Sequence, residues 1–287
     1  MSTVRRVSYV FLCIVPFLSF VVVGVRAFRV PGIYQAAGLA YFAAIAIAAW
    51  TLSAGAIRAD MQGRRLLGLA GTLLVTPFAL VALLWVGLGG PWQATAAENQ
   101  MRYLVLIVMA TAIAAGFVVL REALSEAGER FYATLGFAAI MLSGPLYLIW
   151  NTFAFGVFFA KEHAGEIPQA LRSLGDTFDL LLFVAGFLTY FATAAFAASL
   201  GRVQLLGRRA ARAFMIVSGV ALLFLVIRGL HYPDPKALST PWYTSPGFIV
   251  GIPAVPFIMP FLFGVVLLRR AGEEQADKER PNQLVQP

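Results

Sequence analysis

Eight long runs without a charged side chain dominate this chain: residues 7–25, 33–57, 66–89, 103–120, 132–160, 180–200, 213–227 (extendable to 230) and 247–268. A helix crossing the hydrocarbon core of a bilayer needs roughly 20 mostly apolar residues, and every backbone polar group there must be paired inside the spanning structure. A β-barrel would show strands alternating polar and apolar residues rather than continuous apolar runs. The pattern therefore predicts an all-α polytopic membrane protein with eight transmembrane helices. The fifth run is the longest and must tilt, kink at Pro145 or project beyond the bilayer.

Composition points the same way. Of 287 residues 60% are hydrophobic and 13% charged, with mean hydropathy +0.80, where soluble domains hold about 45–50% and about 25%. A water-soluble fold and a disordered chain are both excluded, and with Cys13 as the only cysteine so is a disulfide scaffold.

The connecting segments predict the orientation. With the N-terminus cytoplasmic, one face carries Arg5, Arg6, Arg58, Arg64, Arg65, Arg121, Arg130, Arg202, Arg208, Arg209, Arg212, Arg269, Arg270, Lys278 and Arg280, and the other only seven basic residues. Cytoplasmic loops carry the excess of Lys and Arg, so both termini are expected inside, in a cytoplasmic (inner) membrane. Arg102 falls at an outer helix end, where its side chain is expected to snorkel to the interface. Arg5 and Arg6 before the first run, with Val25 and Ala27 in a small-residue pattern, also resemble a secretory signal. That run is about 19 residues, beyond the roughly 7–15 of a signal core, which favours a retained span. The lipid bilayer is the first partner, anionic headgroups suffice to explain the basic face, and no nucleic-acid patch occurs.

Similar words recur along the chain in the same order. Tyr-Phe-Ala stands at Tyr41 to Ala43 and Tyr190 to Ala192, and Gly-Arg-Arg at Gly63 to Arg65 and Gly207 to Arg209. Val-Ala-Leu-Leu-aromatic stands at Val81 to Trp85 and Val220 to Phe224, Pro-Trp at Pro91 and Pro241, and Val-Val-Leu at Val118 and Val265. The separations run from 139 to 150 residues, near half the chain. Chance accounts easily for apolar triplets in such a chain, but less easily for Pro-Trp and Gly-Arg-Arg in equivalent loops. The reading is a four-plus-four duplication in which both halves share one orientation, with repeats at 1–130 and 131–270 and a disordered cytoplasmic tail at 271–287.

The halves differ in two places, and these carry the candidate site. The eighth run contains Pro253, Pro256 and Pro260, each removing a backbone donor, so its first part is expected to kink or unwind. A packing kink explains this; so does a broken helix lining a ligand, since irregular backbone at membrane depth must face protein or a cavity. The fifth run carries Tyr147 and Asn151, and the sixth Thr189 and Tyr190. Asn151 reads either as interhelical glue or, with those neighbours and the prolines, as part of a weakly polar pocket.

The middles of all eight runs lack ionisable residues, which argues against ion-coupled transport and aspartyl proteolysis. The two histidines, His163 in Lys-Glu-His-Ala-Gly-Glu and His231 in His-Tyr-Pro-Asp-Pro, lie in different outer loops. They suit a metal or haem in ligand chemistry but lack ligand spacing, and the reading preferred for them is solvated loop residues. No cofactor is identified by the sequence. The function expected is a non-catalytic protein that binds or translocates a small apolar or weakly polar ligand. The alternatives are a structural or assembly subunit among other membrane subunits, and a haem- or metal-dependent membrane enzyme.

Overall fold

The computed structural model of the chain describes residues 3–24, 33–82, 94–230, 248–251 and 255–278. These form α1 (Thr3–Gly24), α2 (Ile33–Ile57), α3 (Gln62–Ala82), α4 (Ala96–Glu126), α5 (Phe131–Ala164), α6 (Gln169–Arg202), α7 (Arg208–Leu230), α8 (Phe248–Gly251), a 3-10 turn (Val255–Phe257) and α9 (Ile258–Lys278). No strand occurs among the described residues. Six of the helical stretches are long and apolar enough to cross a membrane: Gln35–Ile57, Ala96–Glu126, Phe131–Lys161, Gln169–Arg202, Arg208–Leu230 and Val255–Gly272. That composition is consistent with a multi-pass integral membrane protein.

Several helices outrun the apolar runs that predict them. The start of α4 at Ala96 is set by a capping box: the Thr95 hydroxyl accepts from the Glu98 N–H at 3.3 Å while the Glu98 carboxylate accepts from the Thr95 N–H at 2.7 Å. Its end is a Schellman motif, with Gly128 at φ +88° and the Glu129 N–H bonded to the Leu124 carbonyl at 2.9 Å. The loop expected at 161–179 is largely helix, since α5 runs to Ala164, Gly165 closes it at φ +73°, and α6 begins at Gln169. Hydropathy marks where lipid ends, whereas a helix stops only where its hydrogen bonding is capped or broken. For the same reason the tail expected to be disordered from residue 271 is helical through Lys278. Pro145 lies inside α5 without ending it. The described residues of the eighth run, by contrast, form α8, a 3-10 turn that contains Pro256, and α9, which includes Pro260 in its first turn. Pro253, His231, both Pro-Trp pairs and residues 279–287 lie outside the described residues.

Hydrogen bonds gather the ends of the helices at one end of the bundle. Arg5 of α1 donates to the Leu52 carbonyl of α2 at 3.1 Å, Gln62 of α3 to Glu126 of α4 at 2.6 Å, and Arg64 of α3 to the Ala271 carbonyl of α9 at 2.8 Å. Arg270 of α9 donates to the Leu205 carbonyl in the α6–α7 loop at 3.1 Å. Glu129, buried before α5, accepts from the Tyr132 and Ala133 N–H groups and from the Ser199 hydroxyl of α6. The candidate site lies further along the bundle, since Ser143 is twelve residues into α5, about 18 Å at 1.5 Å per residue.

The core is held by ring contacts and by small residues. Phe117 of α4 stacks on Phe196 of α6 with ring centres 4.9 Å apart. Helix α9 wedges between the first and the later helices: Phe261 meets Phe78 of α3 at 4.6 Å, and Phe263 meets Phe214 of α7 at 4.7 Å. This placement brings the proline-rich entry to α9 against α5 and α6.

Candidate functional site

On α5 the residues Ser143, Tyr147 and Asn151 fall at i, i+4 and i+8, a spacing that puts them on one helix face. All three are buried. They face α6 and the 3-10 turn, and two arrangements result that share Tyr147.

The first is a hydroxyl cluster. Ser143 Oγ lies 2.8 Å from Thr189 Oγ1 of α6, and both hydroxyls reach the Ala185 carbonyl, at 2.9 and 2.8 Å. The Tyr147 hydroxyl is 3.4 Å from Thr189 Oγ1, and Thr193 donates back to the Thr189 carbonyl at 2.8 Å. Thr189 has one proton to give and three neighbours within reach, so the cluster is one coupled network in a fully buried place. It closes on itself, which is how α5 and α6 stay paired at this depth.

The second is a small cleft lined by Leu106, Met109, Ala110, Tyr147, Trp150, Asn151 and Phe257. Tyr147 and Phe257 rings meet at 4.9 Å, so the 3-10 turn forms one wall. Asn151 is 3% exposed, and its side-chain oxygen has no hydrogen-bond partner among the described residues. A buried amide oxygen left without a donor costs about 1–3 kcal/mol. The cleft offers a volume of about 10 Å³ to a water-sized sphere, on the order of what one water needs. What this site lacks is therefore a hydrogen-bond donor, carried by something very small unless the turn moves.

The other expected residues fall around this pair. Pro256 is buried in the turn, and a methyl group on Gly186 of α6 would touch its ring at 3.8 Å. Pro260 is buried in the first turn of α9. Tyr190 faces away from the cleft: its hydroxyl donates to the Val250 carbonyl of α8 at 3.0 Å. That carbonyl belongs to the last turn of a four-residue helix, where intrahelical donors run out. Asn151, Thr189 and Tyr190 thus do not line one pocket; Tyr147 links the first two, and Tyr190 anchors the broken segment.

Ser143, a polar residue of the fifth run, and Thr193 of the sixth join the cluster, and Phe257, inside the proline-rich segment expected to line the site, joins the cleft. The first two repeat at four-residue spacing from Tyr147 and Thr189, a signal the sequence contains; Phe257 is marked only by its segment. Arg102 also departs from expectation. It is 2% exposed on α4, one turn from the buried Asn99, rather than reaching outward. His163 is exposed in the last turn of α5, its Nδ1 lying 2.9 Å from the Phe159 carbonyl and its ring stacked on Phe159. No group of three His, Cys, Asp or Glu side chains that could hold a metal occurs among the described residues.

Fold and site together give an all-helical chain, with composition consistent with a multi-pass membrane protein, that holds an internal polar network and an unsatisfied acceptor beside the 3-10 turn Val255–Phe257. The chain matches no family model, no curated protein and no solved structure.

Proposed function

We propose that this is a multi-pass inner-membrane protein that binds or translocates a small, weakly polar molecule at the junction of α5, α6 and the entry to α9, without a buried ionisable group coupling the step. The observation that carries this reading is the Asn151 oxygen: a buried acceptor facing an aromatic-lined cleft selects a neutral molecule that brings one donor group. The hydroxyl cluster beneath it is satisfied internally and serves as a rigid floor. The turn Val255–Phe257, with prolines removing backbone donors around it, is the wall that yields when anything larger than water enters.

The same reading takes the chain as eight crossings in two similarly oriented copies, with both termini inside. The helix ends brought together by Arg5, Arg64, Glu129 and Arg270 hold most of the basic residues, which suits the cytoplasmic face. Tyr41 and Tyr190, equivalent in the proposed duplication, both donate to a backbone carbonyl of another helix, at Val15 (2.9 Å) and Val250 (3.0 Å).

The test is the content of the purified protein. Solvent extraction and mass spectrometry of the wild type should find a stoichiometric small neutral molecule that is lost in Asn151→Leu. Equal content in both, or co-purification of stoichiometric partner chains with no bound small molecule, overturns the assignment.

A further inference from the structure

At the end of the bundle where the arginines gather, the α6–α7 junction opens a cleft of about 470 Å³. Arg202 from the end of α6 and Arg208 and Arg212 from the start of α7 line it, over a floor that includes Tyr132, Ala211 and Met215. No acidic side chain lines it. Neither Arg208 nor Arg212 forms an ion pair with a described residue, and the acid nearest in the chain to Tyr132, Glu129, is occupied by Ser199 and the α5 N–H groups. The Arg202 guanidinium lies 5.1 Å over the Tyr132 ring, which holds it at the rim. Arg270 fixes the loop between the two helices through the Leu205 carbonyl. Three guanidinium groups around one opening fit a phosphate, which they bind through paired N–H donors.

The floor and its continuation decide what carries that phosphate. Arg212, Ile216, Val220 and Leu223 follow one another at spacings of four, four and three along one face of α7. The three apolar members are exposed, at 64%, 47% and 58%. A phosphate at the cleft would thus have an uncovered apolar track leading from it along the helix. We propose that this cleft is a binding site for the headgroup of an anionic glycerophospholipid, with an acyl chain lying on the α7 track.

The full-length protein in neutral detergent is titrated with phosphatidylglycerol and, separately, with phosphatidylcholine of the same chains, inorganic phosphate and glycerol 3-phosphate, and bound species are counted by native mass spectrometry. Phosphatidylglycerol is expected to bind about tenfold or more tighter than phosphatidylcholine. Replacing Arg202, Arg208 and Arg212 by Gln together is expected to weaken it on the order of 100-fold, at roughly fivefold per arginine near a charged lipid surface, and to weaken phosphatidylcholine, whose phosphate is offset by its own cation, by much less. Equal binding of the two lipids, or an unaffected triple variant, overturns the proposal. Inorganic phosphate or glycerol 3-phosphate binding as tightly as phosphatidylglycerol also overturns it, in favour of a soluble anion. The comparison of lipids on the unaltered protein decides the matter if the triple variant does not fold.

Discussion

Gly71 of α3 and Gly264 of α9 cross with their backbones in contact: a methyl group on either would meet the carbonyl oxygen of the other at 2.9 Å. Small residues permit such approach where helices associate through packing rather than through release of water. The contact seats α9 against the first helices and so fixes where the proline-rich turn sits against α5.

Gly264→Ala should therefore destabilise the bundle by about 1–3 kcal/mol, the usual cost of overpacking. Val75 and Leu74 crowd the same position at 2.8 and 2.9 Å and leave no room to yield. Gly219→Ala on α7, where a methyl group meets nothing within 4 Å, is the matched control and should hold or raise stability. Thermal unfolding in detergent compares them.

Glu129 ties the start of α5 to α6 from a buried position, with its carboxylate accepting from two backbone N–H groups and the Ser199 hydroxyl. Glu129→Leu leaves those donors without an acceptor and should cost about 1–3 kcal/mol. Glu129→Gln retains one acceptor oxygen and should cost less. Paired thermal melts of the two variants read the difference.

The Tyr190 hydroxyl serves a single carbonyl, that of Val250. Tyr190→Phe should lower global stability by only about 0.5–1.5 kcal/mol, but it should loosen the segment it anchors. Hydrogen exchange at Phe248–Gly251 is expected to quicken while exchange in α4 stays as it was.

Asn151→Leu separates binding from stability. In protein stripped of the bound molecule, removing a buried acceptor that lacks a donor and replacing it with an apolar side chain of similar size should leave the melting temperature unchanged or higher, whereas the molecule should raise the melting temperature of the wild type alone. Uptake of small neutral alcohols into proteoliposomes should fall together with the co-purifying molecule. A variant that is less stable yet equally active would reverse this assignment of the residue.

Much of the fold is legible in the order of residues. The run at 33–57 coincides with α2, and in the eighth run Pro256 falls in the 3-10 turn that precedes α9. Helix ends were less legible, because Thr95 with Glu98 and Gly128 act through capping hydrogen bonds that hydropathy ignores. Ser143 was within reach of spacing alone, four residues before Tyr147. Phe257 was marked only as part of the proline-rich segment, since nothing local tells which side chain of that segment will wall a cleft.

Charge shows the division most clearly. The sequence by itself determined that this chain is helical and apolar enough for a membrane, and that its basic residues stand between the long apolar runs rather than in their middles, because both depend only on local composition and period. Only the tertiary structure decided what individual side chains do. Arg64 and Arg270 are clamps on the carbonyls of Ala271 and Leu205, Arg102 is buried, and Arg202, Arg208 and Arg212 open onto a cleft. Asn151 and Thr189 were expected to share a pocket and instead meet through Tyr147. Which partner a polar side chain finds depends on how helices distant in sequence rotate against one another, and that rotation is set by close contacts such as Gly71 with Gly264, which no local pattern reports.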